Sequence, residues 1–305
     1  MDIADSFPSQ NESLPVDILN QAFSYTADIL GNLSFILLIA YLYRIRNEDN
    51  NDPHALLFRQ LWLLAGVILL FRNISRLILW FVVYPNHKME NTLQTARILF
   101  FVVFNIFIAC FNNLPVTAVI TFSFTAAVQR LILTYKREYA YLMKGTPMYV
   151  IIAVNWSVAF LHIFLLKRTT WSFLSFSTFN GTVEVIILDG VLVTMASISS
   201  YIYYHFYRLI STFTDQYEYH RIHLLYQFVP IHTVLMVFSA VQLITRSMGY
   251  LDVDEETLRY VLLNLEKIMT PLIPTVISLS YILSRENIRS LLLAVLGPIW
   301  VEISG

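Results

Sequence analysis

The chain has 305 residues, of which 57% are hydrophobic and only 13% charged, and its mean hydropathy is +0.60. A soluble domain carries about 25% charged residues, so the surface of this chain is expected to face lipid. A net charge of −1 argues against a nucleic-acid binder, and the single cysteine, Cys110, excludes an internal disulfide and a cysteine-based metal or redox site.

Residues 1–23 contain Asp2, Asp5, Glu12 and Asp17 but no Lys or Arg. They lack the basic start and early apolar run of a cleavable signal peptide, so the first apolar run is expected to act as a permanent anchor. A helix needs about 20 mainly apolar residues to cross roughly 30 Å of hydrocarbon. Seven stretches qualify: 24–43, 56–83, 99–133, 148–166, 185–207, 224–245 and 261–283. The third is too long for one straight crossing and too short for two with a turn. It is expected to be a long tilted helix that projects past the bilayer, with Pro115 as a candidate kink. No internal repeat is visible, and transporters commonly have one.

Seven spans place the termini on opposite sides. The loop after the third span holds Arg130, Lys136, Arg137 and Lys144, so the positive-inside rule puts the N-terminus outside. The bias over the whole chain is thin, with 11 Lys and Arg on the proposed inside and 9 outside. Two glycosylation tripeptides, at Asn11 and Asn180, both fall in segments assigned outside. The expected organisation is an extracellular segment (1–23), an all-α seven-transmembrane helix bundle (24–283) and a cytoplasmic tail (284–305). In the tail, Ile288, Leu291, Leu292 and Val295 share one face, as in a short amphipathic C-terminal helix lying along the inner leaflet.

Several positions within the spans stand out. The first span carries Gly31-Asn32, the third ends in Gln129-Arg130-Leu131, and the fourth holds Trp156, 26 residues after Arg130. This pattern resembles the rhodopsin-like G-protein-coupled receptor plan. The stretch "AAVQRLILTYKREYAYL" (126–142), with Tyr135 inside it, resembles the third-helix signature of nematode serpentine seven-transmembrane chemoreceptors. "TPLIPTVISLSY" (270–281), with Pro271 and Pro274, followed by "SRENIR", resembles their last helix and basic tail. Class epsilon, or a sibling class, fits best. The sequence departs from the wider plan in four ways. Gln129 replaces the usual acid. The second span has no acid, the sixth has no Cys-Trp-x-Pro motif, and Thr270 precedes the proline of the seventh in place of Asn.

The resemblance implies a plasma-membrane chemosensory receptor that binds an external small molecule and activates a heterotrimeric G protein. Arg130, Gln129 and Tyr135 would form the coupling end. The bland reading of Arg130 is an interfacial guanidinium that snorkels to water. Asn32 is expected to bond to a neighbouring helix, and Trp156, Pro271 and Pro274 to act structurally. Asp189, Glu266, Lys267 and Arg76 are candidates for a ligand pocket, because charges within a span are costly unless they face the bundle. Their other reading is as interface charges, and for Arg72 and Arg76, one turn apart, that reading is preferred. His232 reads as a hydrogen-bonded bundle residue, and His220 and His223 as part of a solvated loop. Expected partners are the G protein, the small-molecule ligand, membrane lipid and a second receptor copy. No cofactor or enzymatic activity is expected, because a membrane hydrolase needs clustered His and carboxylates and the spans scatter them. The alternative is a subunit of a ligand-gated channel or another polytopic transport protein.

Overall fold

The computed structural model describes residues 10–44, 55–83, 99, 114–143, 145–168, 183–210, 228–250 and 255–285. Within them the chain is all-helical and has no strand. Seven α-helices follow in order: α1 (Gln10–Arg44), α2 (Ala55–Val83), α3 (Leu114–Tyr135), α4 (Gly145–Arg168), α5 (Val183–Ile210), α6 (Val229–Tyr250) and α7 (Glu255–Arg285). A 3-10 helix, Arg137–Met143, joins α3 to α4. Gly145, with φ +59°, makes that turn possible, since a side chain is rarely tolerated in this left-handed conformation.

Six of the helices, α1 to α6, contain stretches long and apolar enough to cross a membrane. In α7 only Met269–Leu283 is apolar, because Glu255, Glu256, Arg259, Glu266 and Lys267 charge its first half. A seventh crossing therefore does not follow from length and composition. α7 nevertheless packs along α1 and also meets α6 and α2. Its Pro271 and Pro274 sit inside the helix and remove two backbone donors there.

The observed bounds differ most from the expected ones in α1. α1 starts at Gln10, well before the apolar run, since extending an existing helix into polar sequence costs little. The expected extracellular segment is therefore partly helical. The described part of the third span is Leu114–Tyr135, and it includes Pro115. Residues 100–113, which the expected long helix includes, lie outside the described residues, as do Asn180, His220, His223 and the tail beyond Arg285.

The bundle is apolar outside and partly polar inside. Leu30, Leu33, Ile36, Val67, Leu70, Val150, Phe164, Ile187, Val237 and Ile244 all point outward. Such a girdle would be a liability in water and is what hydrocarbon requires. α3 is the most enclosed helix. Thr117, Thr121, Ser123, Thr125, Gln129 and Arg130 are all buried along it.

Candidate functional site

Consecutive helices run antiparallel, so the start of α3, the end of α4, the start of α5 and the end of α6 meet at one end of the bundle. There, four buried side chains from four helices join. Thr117 Oγ1 of α3 shares a 2.5 Å hydrogen bond with His162 Nδ1 of α4. His162 Nε2 lies 3.2 Å from Asp189 Oδ1 of α5. The other oxygen, Asp189 Oδ2, accepts a hydrogen bond from Arg246 Nη1 of α6. Arg246 is 0% and Asp189 3% exposed along their side chains. An ion pair this enclosed is not held at a water interface, and a buried charge is tolerated only when paired. Asp189 is therefore a bundle-facing residue rather than an interface charge.

A second ionic cluster joins α1 and α2 toward the same end. Arg72 holds the Asp28 carboxylate with both prongs of its side-on fork, Nε to Oδ1 at 2.5 Å and Nη2 to Oδ2 at 3.0 Å. Arg76 Nη2 also pairs with Asp28 Oδ2, donates to the Ser24 carbonyl at 3.1 Å, and its guanidinium lies 4.2 Å from the centre of the Tyr25 ring. Arg72 and Arg76, read from the sequence as interface charges, remain partly exposed and are also tied to α1. Both turn inward to a carboxylate that the sequence reading did not single out. One turn further along α1, Asn32 and Asn73 exchange two side-chain hydrogen bonds, of 2.9 and 3.2 Å. Gly31 lets the helices close here, since a Cβ on it would lie 3.1 Å from Leu69 and 3.8 Å from Pro274.

The middle of the bundle is neutral and polar. His232 of α6 bonds Ser200 of α5 through Nε2 (2.8 Å) and Ser123 of α3 through Nδ1 (3.2 Å), and Ser123 also bonds the Tyr203 hydroxyl (2.8 Å). Asn155 Nδ2 donates to Thr125 Oγ1 at 2.9 Å, and Trp156 Nε1 donates to Gln60 Oε1 at 3.2 Å while its ring meets Phe122 edge-on.

At the opposite end Arg130 is only 2% exposed. A snorkelling side chain lays its stem along lipid, whereas Arg130 is enclosed by protein. Gln129 Nε2 donates to the Met143 carbonyl at 3.1 Å and ties α3 to the 3-10 helix. Tyr135 is half exposed, and its hydroxyl bonds His205 Nε2 at 2.8 Å. An aromatic group closes the same end across α1, α2, α7 and the residue that precedes α6. Phe58 stacks on Tyr281 at 4.2 Å, with Tyr41 and Phe228 edge-on to them.

Among the described residues, the expected pocket residues do not come together in one site. Asp189 and Arg76 belong to separate clusters, and the side chains of Glu266 and Lys267 in α7 lie outside the described residues. Asn11 falls in the first turn of α1. Asp28, His162 and Arg246 are the functional candidates that the sequence reading missed. One signal was available: His232, Ser239 and Arg246 recur every seven residues, which is one face of a helix. No family model, curated protein or solved structure matches the chain.

Proposed function

We propose that the chain is a chemosensory G-protein-coupled receptor, which binds an external small molecule near the Asp189 end and activates a heterotrimeric G protein at the Arg130 end. The observation that carries this reading is the construction of α3. It is the most enclosed helix, contributes Thr117 to the ionic network at one end, and holds a buried arginine at the other. A helix that shares walls with α4, α5 and α6 is suited to couple the two ends. Ligand action would be a population shift toward the arrangement that binds ligand better. In this reading α7 is the seventh crossing, the N-terminus is outside, and the protein resides in the plasma membrane.

The test has two parts. A C-terminal tag is stained with and without permeabilisation, and the purified chain in vesicles is assayed for nucleotide exchange on a panel of heterotrimeric G proteins. The expected results are a tag hidden on intact cells, and exchange above that of empty vesicles that Arg130→Ala lowers by about tenfold at unchanged surface level. A tag exposed on intact cells would invert the bundle and end the receptor reading.

The transport reading draws support from one observation. Two carboxylates, Asp28 and Asp189, lie inside helices and are paired with arginine. Intramembrane ionisable groups often mark ion or substrate paths. Conductance across planar bilayers containing the purified chain, with no exchange on any G protein, would favour it.

A further inference from the structure

α6 turns His232, Leu235, Phe238, Ser239, Gln242 and Arg246 into the bundle. Arg246 is the last of them and among the largest fully buried side chains in the protein. It spends only Nη1 on Asp189. Its Nε and Nη2 are buried and have no hydrogen-bond partner among the described residues. These two nitrogens lie on one edge of the guanidinium and form its side-on fork, the arrangement that matches the two oxygens of a carboxylate. The chain itself shows what fills such a fork. In Arg72 the same two nitrogens hold the two oxygens of Asp28. Arg246 thus presents, at full burial, the donor pair that Arg72 has satisfied.

We infer that the Nε/Nη2 fork of Arg246 is an anion-binding site, and that its ligand is a small organic molecule with a carboxylate. A buried donor pair left unmade is costly, so selection of a matching acceptor is strong. Local charge sets the ligand class. Asp189 is next to the site, and a dianion such as phosphate would place two more negative charges beside it. A carboxylate adds only one, and the Arg246 guanidinium that receives it is already paired with Asp189 through Nη1 alone. The enclosure of Arg246 also sets the route. The ligand reaches the fork when the α5–α6 end opens, so it favours the opened arrangement. The site requires the bundle but not the G protein, so it goes beyond the proposed function and does not depend on coupling.

The experiment uses the full chain in lipid nanodiscs. Thermal unfolding is followed by tryptophan emission with acetate, hexanoate or benzoate, each set against its primary amide and against phosphate, at constant ionic strength. Hexanoate or benzoate is expected to raise the midpoint in a saturable way, while the amides and phosphate do not. Arg246→Lys keeps the charge but loses the fork, and should weaken the apparent affinity by about tenfold or more. Arg246→Gln with Asp189→Asn removes both charges together, leaves no lone buried ion, and should abolish the response in a folded chain. The inference is overturned if no carboxylate shifts the wild-type midpoint, if amides match their acids, or if both variants respond like wild type. A response that appears only after Asp252→Asn with Asp254→Asn, which changes the two acids that lie between α6 and α7 in sequence, assigns the fork to the chain's own carboxylates and overturns it as well. A carboxylate response without nucleotide exchange would keep the site and remove the receptor reading.

Discussion

Asp28 gives the sharpest stability prediction. One carboxylate, 2% exposed, pairs with two guanidiniums that are 21% and 29% exposed. Opposite unit charges about 4 Å apart interact by about 4 kcal/mol at an effective dielectric constant of about 20. Two such pairs exceed what a single surface bridge contributes, but the partly exposed arginines recover some hydration when the carboxylate is lost. Asp28→Asn removes both attractions and leaves Arg72 and Arg76, one turn apart, repelling each other. The expected loss is about 3–5 kcal/mol, the range for breaking a buried pair from one side. The assay is equilibrium unfolding in mixed micelles of increasing SDS fraction, read by the emission of the five tryptophans. The neutral combination Asp28→Asn, Arg72→Gln, Arg76→Gln should recover most of the loss, because it leaves no unpaired ion. A single variant within about 1 kcal/mol of wild type would mean that the cluster behaves as a solvated surface bridge. A triple variant as unstable as the single would mean that the loss comes from packing rather than charge.

Two further predictions concern the neighbouring α1–α2–α7 contact. Asn32→Leu strands the Asn73 amide and should cost about 1–2 kcal/mol, whereas Asn32→Leu with Asn73→Leu should cost less than the single change; the same unfolding assay distinguishes them. Gly31→Val forces branched carbons against Leu69, Thr275 and Pro274, where even a Cβ would be tight. It should destabilise by about 1–3 kcal/mol, and a wild-type midpoint would show that α7 does not pack closely on α1.

The existence of helices was legible because hydrophobic length leaves few alternatives in a chain this apolar. α2, α4 and α5 lie close to their expected bounds for that reason. What composition does not encode is rotation. Asp28 is a lone acid in an apolar run, and its arginine partners lie 44 and 48 residues away on the next helix. Only the rotation of α1 against α2 makes them a cluster. Arg246 sits one residue past the expected end of the sixth span, so the sequence does not single it out; α6 in fact continues to Tyr250 and carries it inside. Arg130 shows the converse limit. Its place at the end of an apolar run fitted snorkelling as well as burial, and the enclosure of α3 decides for burial.

If Arg246 receives a carboxylate as proposed, α6 is the helix placed to respond. It is held at three levels by interactions of different kinds. At one end the Asp189–Arg246 pair links it to α5. In the middle His232 reaches both Ser200 and Ser123. At the other end Phe228 packs edge-on to Phe58, beside the stack on Tyr281. The aromatic contact is short-ranged and apolar, so it loses little when α6 tilts slightly about the histidine. The ion pair is strong but exchangeable, because a carboxylate arriving at Arg246 offers the guanidinium the same chemistry that Asp189 does. A ligand of that class would therefore loosen α6 from α5 at the level where the two are joined by charge. The neutral middle would stay closed and act as the pivot. The burial of polar groups inside this bundle thus places an exchangeable contact of α6 at the end opposite Arg130, which is the separation of input from output that the proposed function requires.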